Sequence, residues 1–181
     1  MLEIKKVEPP TFFKSWVKDN KKYGQRLREF ILEKEQQHAC CYCEKGITPD
    51  NIDTDSHLDH VRPRDKFPQF KNDYHNLVVS CQTPGRCGNA KGSQFNNHFI
   101  VPTEENPGDY LTYFINGEMR AIANNKKANV TIEMLNLNAP RLVGARRALF
   151  LQLNTMKNSC ADFETYFKEY PTFIKYFKEN Y

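Results

Sequence analysis

Residues 40–92 read CCYCEKGITPDNIDTDSHLDHVRPRDKFPQFKNDYHNLVVSCQTPGRCGNAKG, from Cys40 to Gly92. Two cysteine pairs bracket Asp59-His60 and Asn76, and Asn89 follows the second pair. Cys40 and Cys43 form a C-x2-C knuckle, and Cys81 and Cys87 a looser C-x5-C pair that contains Pro84 and Gly85. Four thiolates in tetrahedral array are the ligand set of a structural Zn2+. Disulfides are the competing use of six cysteines. The N-terminal stretch MLEIKKVEPP lacks an apolar signal-peptide core, which favours a reducing, cytoplasmic setting and therefore zinc. Cys41 is an alternative to Cys40 as ligand, and Cys160, far from the cluster, reads as a small buried residue or a bystander.

Outside this stretch, 181 residues with 39% hydrophobic and 13% aromatic content suffice for one core, or one core with a small appendage. The chain has no run of eighteen apolar residues and hence no expected membrane span. A formal charge of +4 does not by itself call for nucleic acid. Its distribution says more, because Arg62, Arg64, Lys66, Lys71, Arg86 and Lys91 crowd residues 60–92 against only Asp65 and Asp73. An ordinary solvated surface is the plain alternative.

Residues 1–39 form a first segment, helical from about Thr11 to Ala39, with Tyr23, Leu27, Phe30 and Ile31 on one face and lysines and arginines on the others. Residues 40–100 form a loop-rich segment with short strands at His57–Val61 and Asn76–Cys81 and a helix beginning near Asn89. Residues 101–181 start with a hairpin about Asn116-Gly117. Helices at Asn129–Asn138 and Leu142–Met156 follow, and then an aromatic helical stretch, Asp162–Tyr181, is interrupted at Pro171. That stretch serves either core packing or partner docking.

Hydrolysis of a phosphodiester needs a base for the water and positive charge at the phosphate. His60 is the candidate base, being largely neutral at cellular pH. Asp59 and Asn89 offer oxygens to a magnesium-type cation, and Arg62 and Lys91 are candidates for phosphate contact. In a regular strand Asp59 and His60 point to opposite faces, so their joint use requires distorted backbone, which Pro63 favours. His57 shares the face of Asp59 and either joins the site or is merely exposed.

Leu58-Asp59-His60-Val61-x-Pro63, Asn76-Leu77, Cys81 and Cys87-x-Asn89-x-Lys91 together resemble the HNH endonucleases, whose catalytic unit is a ββα-metal fold. Cys40-x-Tyr42-Cys43-Glu44, His57-x-Asp59-His60-x-Arg62-Pro63-Arg64, Phe67-Pro68, Asp73-Tyr74-x-Asn76-Leu77, Ser80-Cys81 and Leu135-Asn136-Leu137-Asn138 are similar to the HNH proteins of retron and Septu-type anti-phage defence. The resemblance covers about residues 40–150. It implies an α+β chain with a ββα-metal core stapled by zinc, embedded in a mainly helical domain with a β-hairpin. It also implies His60 as general base, Asp59 and Asn89 as ligands of one catalytic Mg2+ or Mn2+, and Asn76 as the residue that holds the loop and orients the histidine. Asp59 stands where this subgroup usually has glutamate, and the C-x5-C spacing is wider than usual. A partner ATPase and a nucleic-acid substrate, DNA before RNA, are further implications. The alternatives are a non-catalytic zinc module that binds nucleic acid and a subunit whose task is binding the ATPase.

Overall fold

The computed structural model describes residues 1–181 except 49, 51, 160 and 161, so the reading of Cys160 lies outside the described residues. It is a mixed helix and strand fold with two small antiparallel sheets. At the centre are β1 (Ser56–His60) and β2 (Leu77–Cys81), paired so that Leu58 faces Val79 and His60 faces Leu77. Every residue of β2 is buried. That strand therefore reads as a continuous apolar run rather than an alternating one.

Around it the N-terminal segment folds as α1 (Phe13–Lys18) and α2 (Asn20–Lys34), separated at Asp19, whose carboxylate accepts the Lys22 N–H at 3.1 Å and caps α2. The expected apolar face forms: Leu27 and Ile31 are buried and Tyr23 and Phe30 are partly so. The helix stops at Lys34, short of the expected Ala39, because Glu35 and Gln36 turn their side chains inward. Glu35 accepts from Lys6 (2.6 Å) and Tyr74 (2.6 Å). The Gln36 amide donates to the Val79 carbonyl (2.9 Å) and accepts the Val79 N–H (2.8 Å), as a neighbouring strand would.

After the short helix α3 (Ile52–Asp55), β1 and β2, the chain forms α4 (Cys87–Lys91), two residues earlier than expected. The second sheet is β3 (Leu111–Tyr113) with β4 (Met119–Ala121), and its turn contains Gly117 at φ 88°. That turn lies on α6 (Pro140–Met156) so closely that a Cβ on Gly117 would sit 2.3 Å from the Val143 carbonyl oxygen. Arg146 of α6, 1% exposed, donates to the Gly117 and Leu137 carbonyls, both at 2.7 Å. Helix α5 (Lys126–Met134) precedes α6, and Pro140 occupies the first turn of α6, where its missing N–H costs nothing.

The C-terminal α7 (Phe163–Tyr166) and α8 (Pro171–Asn180) bury Phe163, Phe173, Ile174 and Phe177 against Phe150 and Tyr113. Most of the aromatic stretch is thus core, while Tyr166 and Tyr181 are exposed. Buried residues of all three segments form one hydrophobic cluster. No helix is long and apolar enough to cross a membrane among the described residues.

Candidate active site and metal centre

Cys40 and Cys43 lie on a tight turn closed by the bridge between Ala39 and Gly46 and by the Glu44 N–H donating to the Cys40 carbonyl at 2.9 Å. Cys81 ends β2 and Cys87 opens α4. The four sulfurs are buried and lie within 4.8 Å of one another, with Cys43 and Cys81 at 3.9 Å. Zinc–sulfur bonds of about 2.3 Å in a tetrahedron separate sulfurs by about 3.8 Å. The quartet can therefore hold a metal ion such as zinc, and Cys40, not Cys41, belongs to it. Cys41 is buried outside the quartet, and burial pushes its thiol well above the ordinary range.

Two features suit concentrated negative charge. The Cys81 N–H points at the Cys40 sulfur (3.3 Å). The buried Arg86 guanidinium sits beside Cys43, Cys81 and Cys87; burial works against its charge, but these sulfurs hold it on balance more basic than usual. The C-terminal region supports the second pair: the Leu135 carbonyl accepts the Cys87 N–H at 2.8 Å, and the Asn136 amide donates to the Gly85 carbonyl at 2.8 Å. The five-residue spacing thus leaves both sulfurs in place.

His60, half-buried at the end of β1, presents its ring to a cavity of about 480 Å³ that Asp59, Pro63, Arg64 and Lys71 also line. Its Nε2 lies 2.9 Å from the Lys71 carbonyl oxygen. A carbonyl only accepts, so Nε2 carries the proton and Nδ1 is the free lone pair of the neutral ring. Burial pulls the His60 pKa below its ordinary value, more strongly than the Lys71 carbonyl and Asp59 push it up. The loop that brings Lys71 there is clamped by Asn76, 4% exposed. Its carboxamide accepts the Arg62 N–H (2.8 Å) and donates to the Arg62 and Phe70 carbonyls (2.9 and 3.1 Å).

Asp59 borders the same cavity, but its carboxylate is engaged within the fold. Its Oδ2 accepts from the Tyr42 hydroxyl at 2.5 Å, and its Oδ1 is 3.1 Å from the Lys91 ammonium, which also donates to the His60 carbonyl at 2.8 Å. Lys91 is fully enclosed, so the lysine read as a phosphate contact is instead an internal counter-ion. Asn89 is exposed and its amide donates to the Thr83 carbonyl at 3.3 Å. The Asp59 carboxylate is thus committed to Lys91 and Tyr42, which does not favour a cation shared with Asn89, whose amide nitrogen is held by the Thr83 carbonyl. Arg62, the other phosphate candidate, is clasped by both carboxylate oxygens of Glu104. His57 packs on α4: a Cβ on Gly88 would lie 2.6 Å from its Nε2, so only glycine fits there.

Tyr42, Glu104 and the cavity-lining Arg64 and Lys71 were not assigned to the site from sequence. Tyr42 was marked by its place inside the knuckle, whereas Glu104 lies 42 residues from Arg62 with no local signal.

No protein-family model matches the chain. The chain is distantly similar to the Septu protein PtuB of Bacillus thuringiensis, 25% identical over 124 residues that cover 66% of this chain and 44% of that protein. It therefore spans less than half the length of that relative.

Proposed function

We propose that this protein is an HNH-type endonuclease, cytoplasmic, that hydrolyses phosphodiester bonds of nucleic acid, DNA before RNA, within a Septu-type anti-phage defence complex that includes an ATPase. The observation that carries the reading is the His60 ring anchored through Nε2 on the Lys71 carbonyl, with the cation-bearing Arg64 and Lys71 on the same cavity. His60 Nδ1 takes a proton from water as the oxygen bonds to phosphorus, and the bond from phosphorus to the 3′ oxygen breaks as that oxygen takes a proton from solvent water. Arg64 and Lys71 offset the charge that gathers on the phosphate. Zn2+ on Cys40, Cys43, Cys81 and Cys87 fixes the two ends of the β1–β2–α4 unit. With the Asp59 carboxylate committed to Lys91 and Tyr42, no step is routed through Mg2+ or Mn2+. The distant similarity to a Septu protein supports the defence setting.

The enclosed pair of Lys91 and Asp59 favours one second reading, a non-catalytic zinc-containing subunit that binds nucleic acid or the ATPase. Supercoiled plasmid incubated with zinc-loaded protein, with and without added Mg2+ or Mn2+, separates the two. Nicking by the wild type that is lost in a folded His60→Ala variant is expected. No nicking by either protein favours the second reading, equal nicking by both removes His60 as the base, and the dependence on added cation decides whether one is needed.

A further inference from the structure

The second sheet has a strand edge that the chain leaves incomplete. The Phe114 N–H donates to the Glu118 carbonyl at 2.9 Å and the Ile122 N–H to the Tyr110 carbonyl at 2.8 Å, so the bonded pair between them is Thr112 with Arg120. Antiparallel ladders alternate bonded and non-bonded pairs. The N–H and C=O groups of Leu111 and Tyr113 therefore point away from β4, and none of the four has a partner among the described residues. The other flank of this sheet is answered at Met119. There the Asn138 side chain accepts the Met119 N–H at 2.8 Å and donates to the Met119 carbonyl at 2.9 Å, as Gln36 does for Val79 of β2.

The open edge borders a cleft of about 490 Å³. Leu111, Thr112 and Tyr113 line one side. Thr172, Tyr176 and Glu179 line the other, spaced i, i+4 and i+7, so one stripe of α8 runs beside the strand. The Tyr113 ring packs on Phe173 and Tyr176, with centroids 5.0 and 5.8 Å apart, and this holds helix and strand in place. Outward donors and acceptors on alternate residues of a strand, about 7 Å apart, are the template for an extended peptide. Strand addition of this kind draws affinity from main-chain bonds and specificity from alternate side chains. The charged lining is acidic on balance: Glu3, Asp109 and Glu179 stand against Lys175, whose ammonium is 3.8 Å from Glu179. Leu111 and Tyr113 are only 8% and 7% exposed, so the edge is recessed. Two copies of the chain cannot bring one recessed β3 against another, whereas a free segment can enter.

We infer that β3 and α8 form a docking groove for an extended, basic segment of another protein, which joins the sheet as a strand along the Leu111–Tyr113 edge. The groove shares no lining residue with the cavity beside His60, and the inference does not depend on the nuclease reading.

The test follows amide hydrogen exchange by NMR on the zinc-loaded full chain. The probe is a capped heptapeptide of alternating lysine and valine with lysine at both ends. In the free protein the Thr112 N–H is expected to be protected and those of Leu111 and Tyr113 to exchange freely. Added peptide is expected to protect Leu111 and Tyr113 saturably. The same peptide methylated on every peptide nitrogen is expected not to, and a version with glutamate for lysine to bind about tenfold more weakly. The double variant Glu3→Lys/Glu179→Lys, changed at two charged rim positions of the groove, is expected to weaken the lysine peptide by about tenfold as well. Protection of Leu111 and Tyr113 in the free protein at every concentration would mean that the edge is already filled, and overturns the groove. Protection that grows with protein concentration gives it to a second copy and overturns the partner segment. Equal binding of the methylated peptide, or no protection of either amide up to millimolar peptide, also overturns it. If the double variant does not fold, the methylated and glutamate peptides still decide. No arm of the test involves cleavage, so loss of the groove leaves the nuclease reading untouched, and the reverse.

Discussion

The Lys91 ammonium lies 3.1 Å from Oδ1 of Asp59, with the lysine side chain fully enclosed and the aspartate 11% exposed. Removing one member of a buried pair leaves the other charged and unpaired, which costs about 3–5 kcal/mol. Lys91→Met is expected to lower stability in urea unfolding by about that amount. Adding Asp59→Asn should recover part of the loss, because the two residues act as one unit. Additive losses would mean that the pair is not coupled.

Chelation addresses the cysteine quartet. Structural zinc in small sites contributes about 10–16 kcal/mol of apparent binding free energy, and folding depends on it. Cys81→Ser is expected to lose zinc and the cooperative melting transition. Cys41→Ala, next in sequence to Cys40 but outside the quartet, should keep one zinc per chain by elemental analysis.

Acidity acts through His60. Its folded pKa is lowered from the ordinary 6.5, chiefly by burial, with Arg64 and Lys91 adding to the lowering and the Lys71 carbonyl and Asp59 opposing it. The unfolded chain therefore binds this proton first, and the group's contribution to stability is lost as pH falls below 6.5 toward the folded value. The acid limb of any His60-dependent cleavage is expected below pH 6.5 and not above it. A limb above that value would assign the base to another group.

The β3–β4 turn offers a test of packing. Gly117→Ala would combine φ 88° with a Cβ 2.3 Å from the Val143 carbonyl oxygen. A loss of about 2–4 kcal/mol in chemical unfolding is expected, since strain and a backbone clash add. A near-neutral change would show that the turn can shift off α6.

Much of the frame was legible because it depends on local chemistry. The Cys pairs, the strands about Asp59 and Val79 and the Asn116-Gly117 turn follow from short-range rules, and the break before α6 was read at Ala139-Pro140, although the helix starts at Pro140 and not at the expected Leu142. The site was harder to read because helix phase decided it. With α4 starting at Cys87 instead of near Asn89, Lys91 falls one turn below Cys87 on the inward face and Asn89 falls outward. A lysine in a basic cluster gives no sign that it will be enclosed, and an asparagine two residues away gives none that it will face Thr83. Glu35, Gln36 and Glu104 found their partners across 39, 43 and 42 residues respectively, distances at which spacing rules are silent.

The Gln36 side chain has a consequence for how other proteins can approach. The outer edge of β2 is already answered: Val79 by Gln36 and by the Cys41 N–H (3.1 Å), the Leu77 carbonyl by the Lys6 ammonium (3.0 Å), and the Cys81 N–H by the Cys40 sulfur. An unpaired strand edge is a template for adding a foreign strand. Here the template is filled from within, so association by β-augmentation is closed on this flank, and a partner that docks there must recognise side chains.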